Sequence, residues 1–144
     1  MRAVIQRVKQ GSVTVNNEVI SSIGQGLVCL IGITHDDTKV DSDWLLWDNK
    51  EANKSWDKSV KDMNYEVLFV SQFTLYAVTK KGTKPDFHCA MPSELSKQFY
   101  TQFLNDAKQN YKPELIKDGC FGAMMDVGIV NDGPVTIVLD SKDK

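Results

Sequence analysis

The run Leu27-Val28-Cys29-Leu30-Ile31-Gly32-Ile33 constrains this chain more than any other segment. Its apolar residues stand on consecutive positions, so a strand built from it must be covered on both faces. It is far shorter than the roughly 20 residues that a membrane-spanning helix needs. A buried central strand is what remains. Glu66–Phe73 is a second strand on the same ground, because Val67-Leu68-Phe69-Val70 is continuous and apolar.

The flanking segments predict how those strands are covered. Ala3–Val8 alternates loosely and Ser12–Val15 is β-prone. Asn16-Asn17 then separates that run from Glu18–Ile23. Asparagine tolerates the positive φ of a tight turn, so this reads as a β-hairpin. Gly24-Gln25-Gly26 breaks the return strand. Thr38–Lys50 predicts a helix with Val40, Trp44 and Trp47 on one face, and Glu51–Asn64 an exposed connection. Ala77–Pro92 carries Gly82, Pro85 and Pro92 and reads as a long loop, a kind of segment that is often functional. Ser93 caps the best helix of the chain, with Leu95, Phe99, Phe103 and Leu104 on one face and an end near Tyr111. Phe121–Val130 is strand-like, Asn131-Asp132-Gly133-Pro134 is a turn, and Val135–Leu139 is a last strand. The sum is one strand-rich α+β domain over residues 1–144, with mostly antiparallel sheets and two main helices.

Composition narrows the function classes. The chain has 144 residues, 42% apolar and 25% charged, which suits an ordinary soluble domain. The N-terminal Met1-Arg2-Ala3-Val4-Ile5-Gln6-Arg7 has polar residues where a signal peptide has an apolar core, so a cytosolic protein is expected. Lys and Arg total 17 against 19 acids, a net charge of −2. Proteins that grip long nucleic acids are usually basic, so a nucleic-acid partner would be held by a small piece or a local patch. The three cysteines, Cys29, Cys89 and Cys120, are far apart and unpaired in sequence, which argues against a disulfide framework or a zinc site. The histidines, His35 and His88, share no metal-ligand spacing. No phosphate-binding glycine loop and no GxSxG elbow occurs.

Four local features remain. Ser71-Gln72-Phe73-Thr74-Leu75 follows the second core strand and is natural pocket floor, or else a strand turning amphipathic at a sheet edge. Strand alternation would put Ser71 and Phe73 on one face and Gln72 and Thr74 on the other. His88-Cys89 holds a nucleophile and base pair of residue types, but sequence neighbours usually point apart, so a direct pair is geometrically poor. Asn131-Asp132-Gly133-Pro134 is an ordinary turn or something more specific, and its Gly-Pro bond is open to either isomer. Lys80, Lys81 and Lys84 form a solvated run or a phosphate contact.

Two of these motifs together resemble a known family. Ser71-Gln72-Phe73-Thr74-Leu75 and Asn131-Asp132-Gly133-Pro134-Val135-Thr136 look like the paired signatures of the D-aminoacyl-tRNA deacylases. The opening Met1–Val8, Lys81-Gly82-Thr83-Lys84-Pro85, and Phe121-Gly122 with Met125 resemble that family in the same order. The resemblance implies a homodimer and an enzyme that cleaves the ester between a D-amino acid and the terminal adenosine of tRNA, sparing L-aminoacyl-tRNA. Glycyl-tRNA is a further substrate on that reading, and neither metal nor cofactor is used.

By position, the resemblance assigns Ser71, Gln72, Phe73 and Thr74 to the pocket for adenosine and ester, completed by Ala90, Phe121 and Met125. Gly133-Pro134 resembles the family's cis Gly-Pro element, which enters the partner's active site and excludes an L side chain rather than attracting a D one. Arg7 would brace it. Thr74 is the obvious hydroxyl, yet no histidine or carboxylate of the motif activates it. Backbone N–H groups near Phe73 and Thr74 then stabilise the oxyanion. Lys80, Lys81 and Lys84 are candidate tRNA phosphate contacts. The related animal deacylase with a trans Gly-Pro bond has a different strand motif. A nucleic-acid-binding module of the same fold without hydrolysis, and a Cys-His esterase using Cys89, are the other readings. Two departures stand out: Asp37–Val60 is shorter than in the family, and Asp86 precedes Phe87 where many members have serine.

Overall fold

Strand β1 (Arg2–Val15) is the axis of the molecule. The computed structural model describes residues 1–48 and 59–144. Along one edge β1 pairs with β2 (Glu18–Ile23) and β3 (Gly26–Gly32), and along the other with β6 (Asp126–Asp140), always antiparallel. Asn16 and Asn17 turn β1 into β2 with φ of 50° and 64°. Positive φ at both central residues matches the right-handed twist of the strands that the turn joins.

The centre of the sheet is parallel, which alternation and turn signals do not disclose. Strand β4 (Glu66–Ser71) lies parallel to β3, and β5 (Ile116–Asp118) parallel to β4. The sheet order is β2-β1-β3-β4-β5, with β6 added to β1. Parallel neighbours need a crossover. The first crossover carries α1 (Lys39–Asp43) and α2 (Val60–Met63); the second carries the long loop and α3 (Ser93–Asn110).

The two apolar runs sit where their pattern requires. Alternate residues of β4 face opposite ways: Val67 and Phe69 join Cys29, Ile31, Phe103 and Ala107 in a core under α3. Leu68 and Val70 join Val8, Val13, Ile23 and Val28 in a core on the other face. Phe69 meets Phe103 edge to face, with centroids 5.2 Å apart. The sheet curls around the second core so that Val127 and Ile129 of β6 pack on it, which gives the near-barrel form.

Several local expectations change. Ser93 is the first residue of α3 and not its cap; Pro92 holds the cap position, and no side chain caps the helix. The buried stripe is Ser96, Tyr100, Phe103 and Ala107, with Leu104 beside it, while Leu95 is 57% exposed. Tyr100 wins the inward position because its hydroxyl donates to Asp118 Oδ1 at 2.7 Å, which satisfies its polar end. The first predicted helix is regular only over Lys39–Asp43, then widens over Trp44–Asp48. Val40 points to solvent and Trp44 packs on the core. The side chain of Trp47 and residues 49–50 lie outside the described residues, as does 51–58 of the predicted connection; Val60–Met63 forms a short turn of helix behind the Ser59 cap.

The last predicted turn is not a break. Strand β6 runs through it, with Asn131 opposite Val8 and Thr136 opposite Gln6. Residues 132–135 therefore bulge out opposite Arg7 alone. The strand predicted from Phe121 begins only at Asp126, and Phe121–Ala123 is a turn. No helix among the described residues is long and apolar enough to cross a membrane.

Candidate functional site

The strands β3, β4 and β5 run in one direction, and a cavity of about 760 Å³ lies at the carboxyl ends of β3 and β4. In sheets of this kind that is where backbone and loops diverge and leave room for a ligand. Ser71 ends β4. Gln72 N still donates to Ile31 O at 2.7 Å, and Leu75 N then turns back to Gln72 O at 3.2 Å, opening the 3-10 turn Phe73–Tyr76. Gly32 lets that turn lie flat on β3: a Cβ there would sit 2.9 Å from Leu75 Cβ and 3.2 Å from Gln72 O.

The predicted strand Glu66–Phe73 thus stops at Ser71, and alternation does not extend past it. Ser71, Gln72, Phe73 and Thr74 all line the one cavity because the turn folds them to the same side. Gln72 Nε2 donates to Thr74 Oγ1. Phe73 is 57% exposed, its ring edge to face with Phe87 at 5.1 Å.

The other walls come from distant segments. Met91 N donates to Ile33 O at 3.0 Å, and Thr34 and Ala90 form an isolated bridge, which brings the long loop across the end of β3. Phe121 leans on Tyr100 at 5.7 Å. Met125 Sδ accepts from Cys120 N at 3.4 Å and its side chain packs on the second core. The seven residues expected for adenosine and ester, Ser71, Gln72, Phe73, Thr74, Ala90, Phe121 and Met125, therefore meet in one place. Phe87, Met91, Ser93, Ser96 and Met124 line the same cavity. They carry no local motif; the length of the loop before α3 is the signal for Phe87 and Met91, and Ser93, Ser96 and Met124 have none.

Gly133, Pro134 and Arg7 are not in that lining. Gly133 and Pro134 form a separate spur on β6, and Arg7 of β1 lies opposite it. The Gly133-Pro134 peptide is cis, and Gly133 has φ of 125°. A Cβ there would meet Val135 Cγ2 at 2.8 Å and Arg7 Nη2 at 3.1 Å, so glycine is required. Arg7 Nε donates to Asp132 O at 3.3 Å and lies 3.4 Å from Asp132 Oδ2. Asn131, part of the sequence motif but given no role from sequence, ties the base of the spur: its Nδ2 donates to Arg7 O at 2.8 Å and to Val135 O at 3.0 Å.

Lys80, Lys81 and Lys84 are exposed at the tip of a loop closed by Val78 and Asp86, whose backbones exchange hydrogen bonds of 2.7 and 2.9 Å. The expectation that His88 and Cys89 point apart is wrong. Cys89 Sγ lies 3.3 Å from His88 Nε2. The residues are on a turn, not a strand: His88 N donates to Asp86 Oδ1 at 3.0 Å, and the ring swings toward its own neighbour. The bond from His88 holds the Asp86 carboxyl below the usual range.

Comparison with known proteins agrees with this geometry. The family model described as D-Tyr-tRNA(Tyr) deacylase matches residues 4–140. A D-aminoacyl-tRNA deacylase from Dictyostelium discoideum is 61% identical and aligns over 100% of both chains. That alignment spans 152 positions against the 144 residues here, so this chain lacks residues that its relative has. D-aminoacyl-tRNA deacylase 1 of Homo sapiens is 51% identical over 98% of this chain and 70% of its own. A solved structure named c-Myc DNA Unwinding Element Binding Protein superposes with a TM-score of 0.89 at 50% identity, over 97% of this chain and 98% of that one. A probable eukaryotic D-amino acid tRNA deacylase, 16% identical, shares the fold with a TM-score of 0.78 over 96% of this chain and 97% of its own. The chain belongs to the D-Tyr-tRNA(Tyr) deacylase family.

Proposed function

We propose that this protein hydrolyses the ester joining a D-amino acid to the terminal adenosine of tRNA, releasing free D-amino acid and tRNA. Family membership supports the reaction class. The observation that carries the site is the convergence of Ser71–Thr74, Ala90, Phe121 and Met125 on one cavity. Its aromatic walls suit a base, and stacking on a ring such as Phe121 contributes about 1–3 kcal/mol. Its hydroxyl and amide groups suit ribose and ester.

The chemistry runs on backbone and substrate. Thr74 Oγ1 accepts from the Gln72 amide, which cannot take a proton, so this partner does not make the threonine a nucleophile. Phe73 and Thr74 open a 3-10 turn, and their N–H groups have no carbonyl inside that turn to reach. We assign them to the oxyanion that forms when water attacks the ester. The substrate's 2′-hydroxyl assists that water.

Specificity needs a second copy of the chain. The spur Gly133-Pro134 is outside its own chain's cavity, which supports a homodimer in which each spur enters the partner's cavity. There it would block an L side chain and leave a D side chain or glycine free. Arg7 and Asn131 hold it out. Lys80, Lys81 and Lys84 contact phosphates near the acceptor end, with salt-dependent affinity. The cytosol is the proposed location.

The test is deacylation of matched D-tyrosyl-, L-tyrosyl- and glycyl-tRNA by wild type, Thr74→Ala and Cys89→Ala. Cleavage of the D and glycyl esters, with the L ester spared, is expected, and both variants keep most of the rate. Inactive Thr74→Ala overturns the backbone mechanism, and inactive Cys89→Ala revives a thiol esterase. Intact esters with tRNA still bound would favour a binding module, the reading suggested by the relative named for a DNA element.

A further inference from the structure

The loop that lines one side of the cavity carries a second chemical unit. Asp86, His88 and Cys89 form a chain in which each group is within reach of the next. His88 Nδ1 lies 2.5 Å from Asp86 Oδ2, and His88 Nε2 lies 3.3 Å from Cys89 Sγ. When Nδ1 donates to the carboxylate, Nε2 is left as the acceptor that faces the thiol. The frame around it is fixed. Asp86 is pinned to Val78 through both backbone groups, and the Cys89 carbonyl accepts from Thr34 Oγ1 at 2.5 Å.

A positive charge stands beside this chain from another element. The Arg2 guanidinium of β1 is within electrostatic reach of Cys89. It is held by Leu75 O at 2.9 Å and by Asp140 Oδ2 of β6 at 2.8 Å. The ring that meets the sulfur is His88, with Asp86 on its other nitrogen, and Arg2 acts on the sulfur through its field while paired with Asp140.

We propose that Cys89 is a covalent modification site for low-molecular-mass disulfides, with His88 as its base and Asp86 as the residue that positions His88. His88 Nε2 takes the thiol proton, and the Cys89 sulfur attacks one sulfur of the disulfide. A new Cys89–sulfur bond forms, the reagent's own sulfur–sulfur bond breaks, and the departing thiolate takes the proton back from His88. Cys89 is oxidised and half of the reagent is reduced, so atoms and electrons balance. The reactive form is the thiolate, and His88 Nε2 at 3.3 Å is placed to take the proton as the sulfur attacks.

The protein contains its own controls. Cys29 is fully buried, and burial pushes its thiol up to about 12. Cys120 is more exposed than Cys89, and among the described residues no histidine is hydrogen-bonded to its sulfur. Exposure alone therefore ranks Cys120 as the faster thiol, and the proposal reverses that order.

The reduced intact protein is treated with glutathione disulfide near neutral pH, and each cysteine is followed by peptide mass spectrometry. Cys89 is expected to load about tenfold faster than Cys120, with Cys29 unmodified. His88→Gln and Asp86→Asn bring Cys89 down to the Cys120 rate or below, while Cys120 itself is unchanged, which reports an intact fold. Asp86→Glu restores the wild-type order, as a positioning carboxylate requires. Cys89 loading no faster than Cys120 in wild type, or at an unaltered rate in His88→Gln, overturns the proposal. The readout does not involve deacylation, so it stands or fails separately from the proposed function.

Discussion

Two acid–base chains in this molecule use similar groups to opposite ends. At the end of the sheet, the Met1 ammonium donates to Asp37 Oδ1 and to Ser141 Oγ, each at 2.6 Å, and Ser141 Oγ donates to Asp41 Oδ1 at 2.7 Å. Lys142 closes the set at 3.0 Å from Asp41. The Met1 and Asp37 side chains are 0% exposed. In the long loop, Asp86 and His88 are 58% and 63% exposed, and their chain ends on a thiol. The first cluster has a partner for each charge, and its Met1–Asp37 pair has no access for a reagent. The second has an open end and free access. Burial with complete pairing makes structure; exposure with a nucleophile set against its base makes chemistry.

The largest effect that would sharpen this contrast is at Asp37. Removing Asp37 leaves the buried Met1 ammonium with Ser141 Oγ but without its own carboxylate, and breaking a buried pair in this way costs about 3–5 kcal/mol. Asp37→Ala should lower the unfolding free energy from urea denaturation by that amount and move the midpoint down with it; a midpoint close to wild type would mean the corner is not structural.

A smaller effect follows from Asp41. Burial by itself would raise its carboxyl, but the Ser141 hydroxyl, the Thr38 N–H and Lys142 together hold it well below the usual carboxylate range. A lowered folded-state value means a contribution fully present above the unfolded carboxylate range and lost as the pH falls below it. Thermal stability should therefore decline on acidification from about pH 4 downward, and Asp41→Asn should flatten that limb. An acid limb unchanged in Asp41→Asn would assign the loss to other carboxylates.

The smallest stability effect belongs to the exposed chain. Asp86→Asn should leave the urea midpoint where it is, since exposed ion pairs contribute little, while slowing modification of Cys89. A marked loss of stability would erase the distinction between the two clusters.

Much of the architecture was legible before any coordinates. Asn16-Asn17 specifies its turn because few residues other than glycine accept positive φ twice in succession. The runs at Leu27 and Val67 specify buried strands because no face of either is polar. The resemblance assigned seven residues to a pocket, and those seven converge on one cavity. The parallel order of β3, β4 and β5 was not legible, since apolar pattern reports burial and not strand direction. Nor was the inward turn of Tyr100 over Leu95, which depends on an acceptor 18 residues further on.

The sequence by itself determined the elements whose signals are local: the hairpin, the two core strands, the long helix and the loop before it. Backbone preference and apolar period act over a few residues, so they can be read from a few residues. Tertiary structure alone decided that Thr74 sits on a turn over Gly32, that β6 continues through a bulge braced by Arg7 and Asn131, and that His88 faces Cys89. Each of these depends on the position of another segment, and contacts between distant segments exist only once the chain has closed on itself.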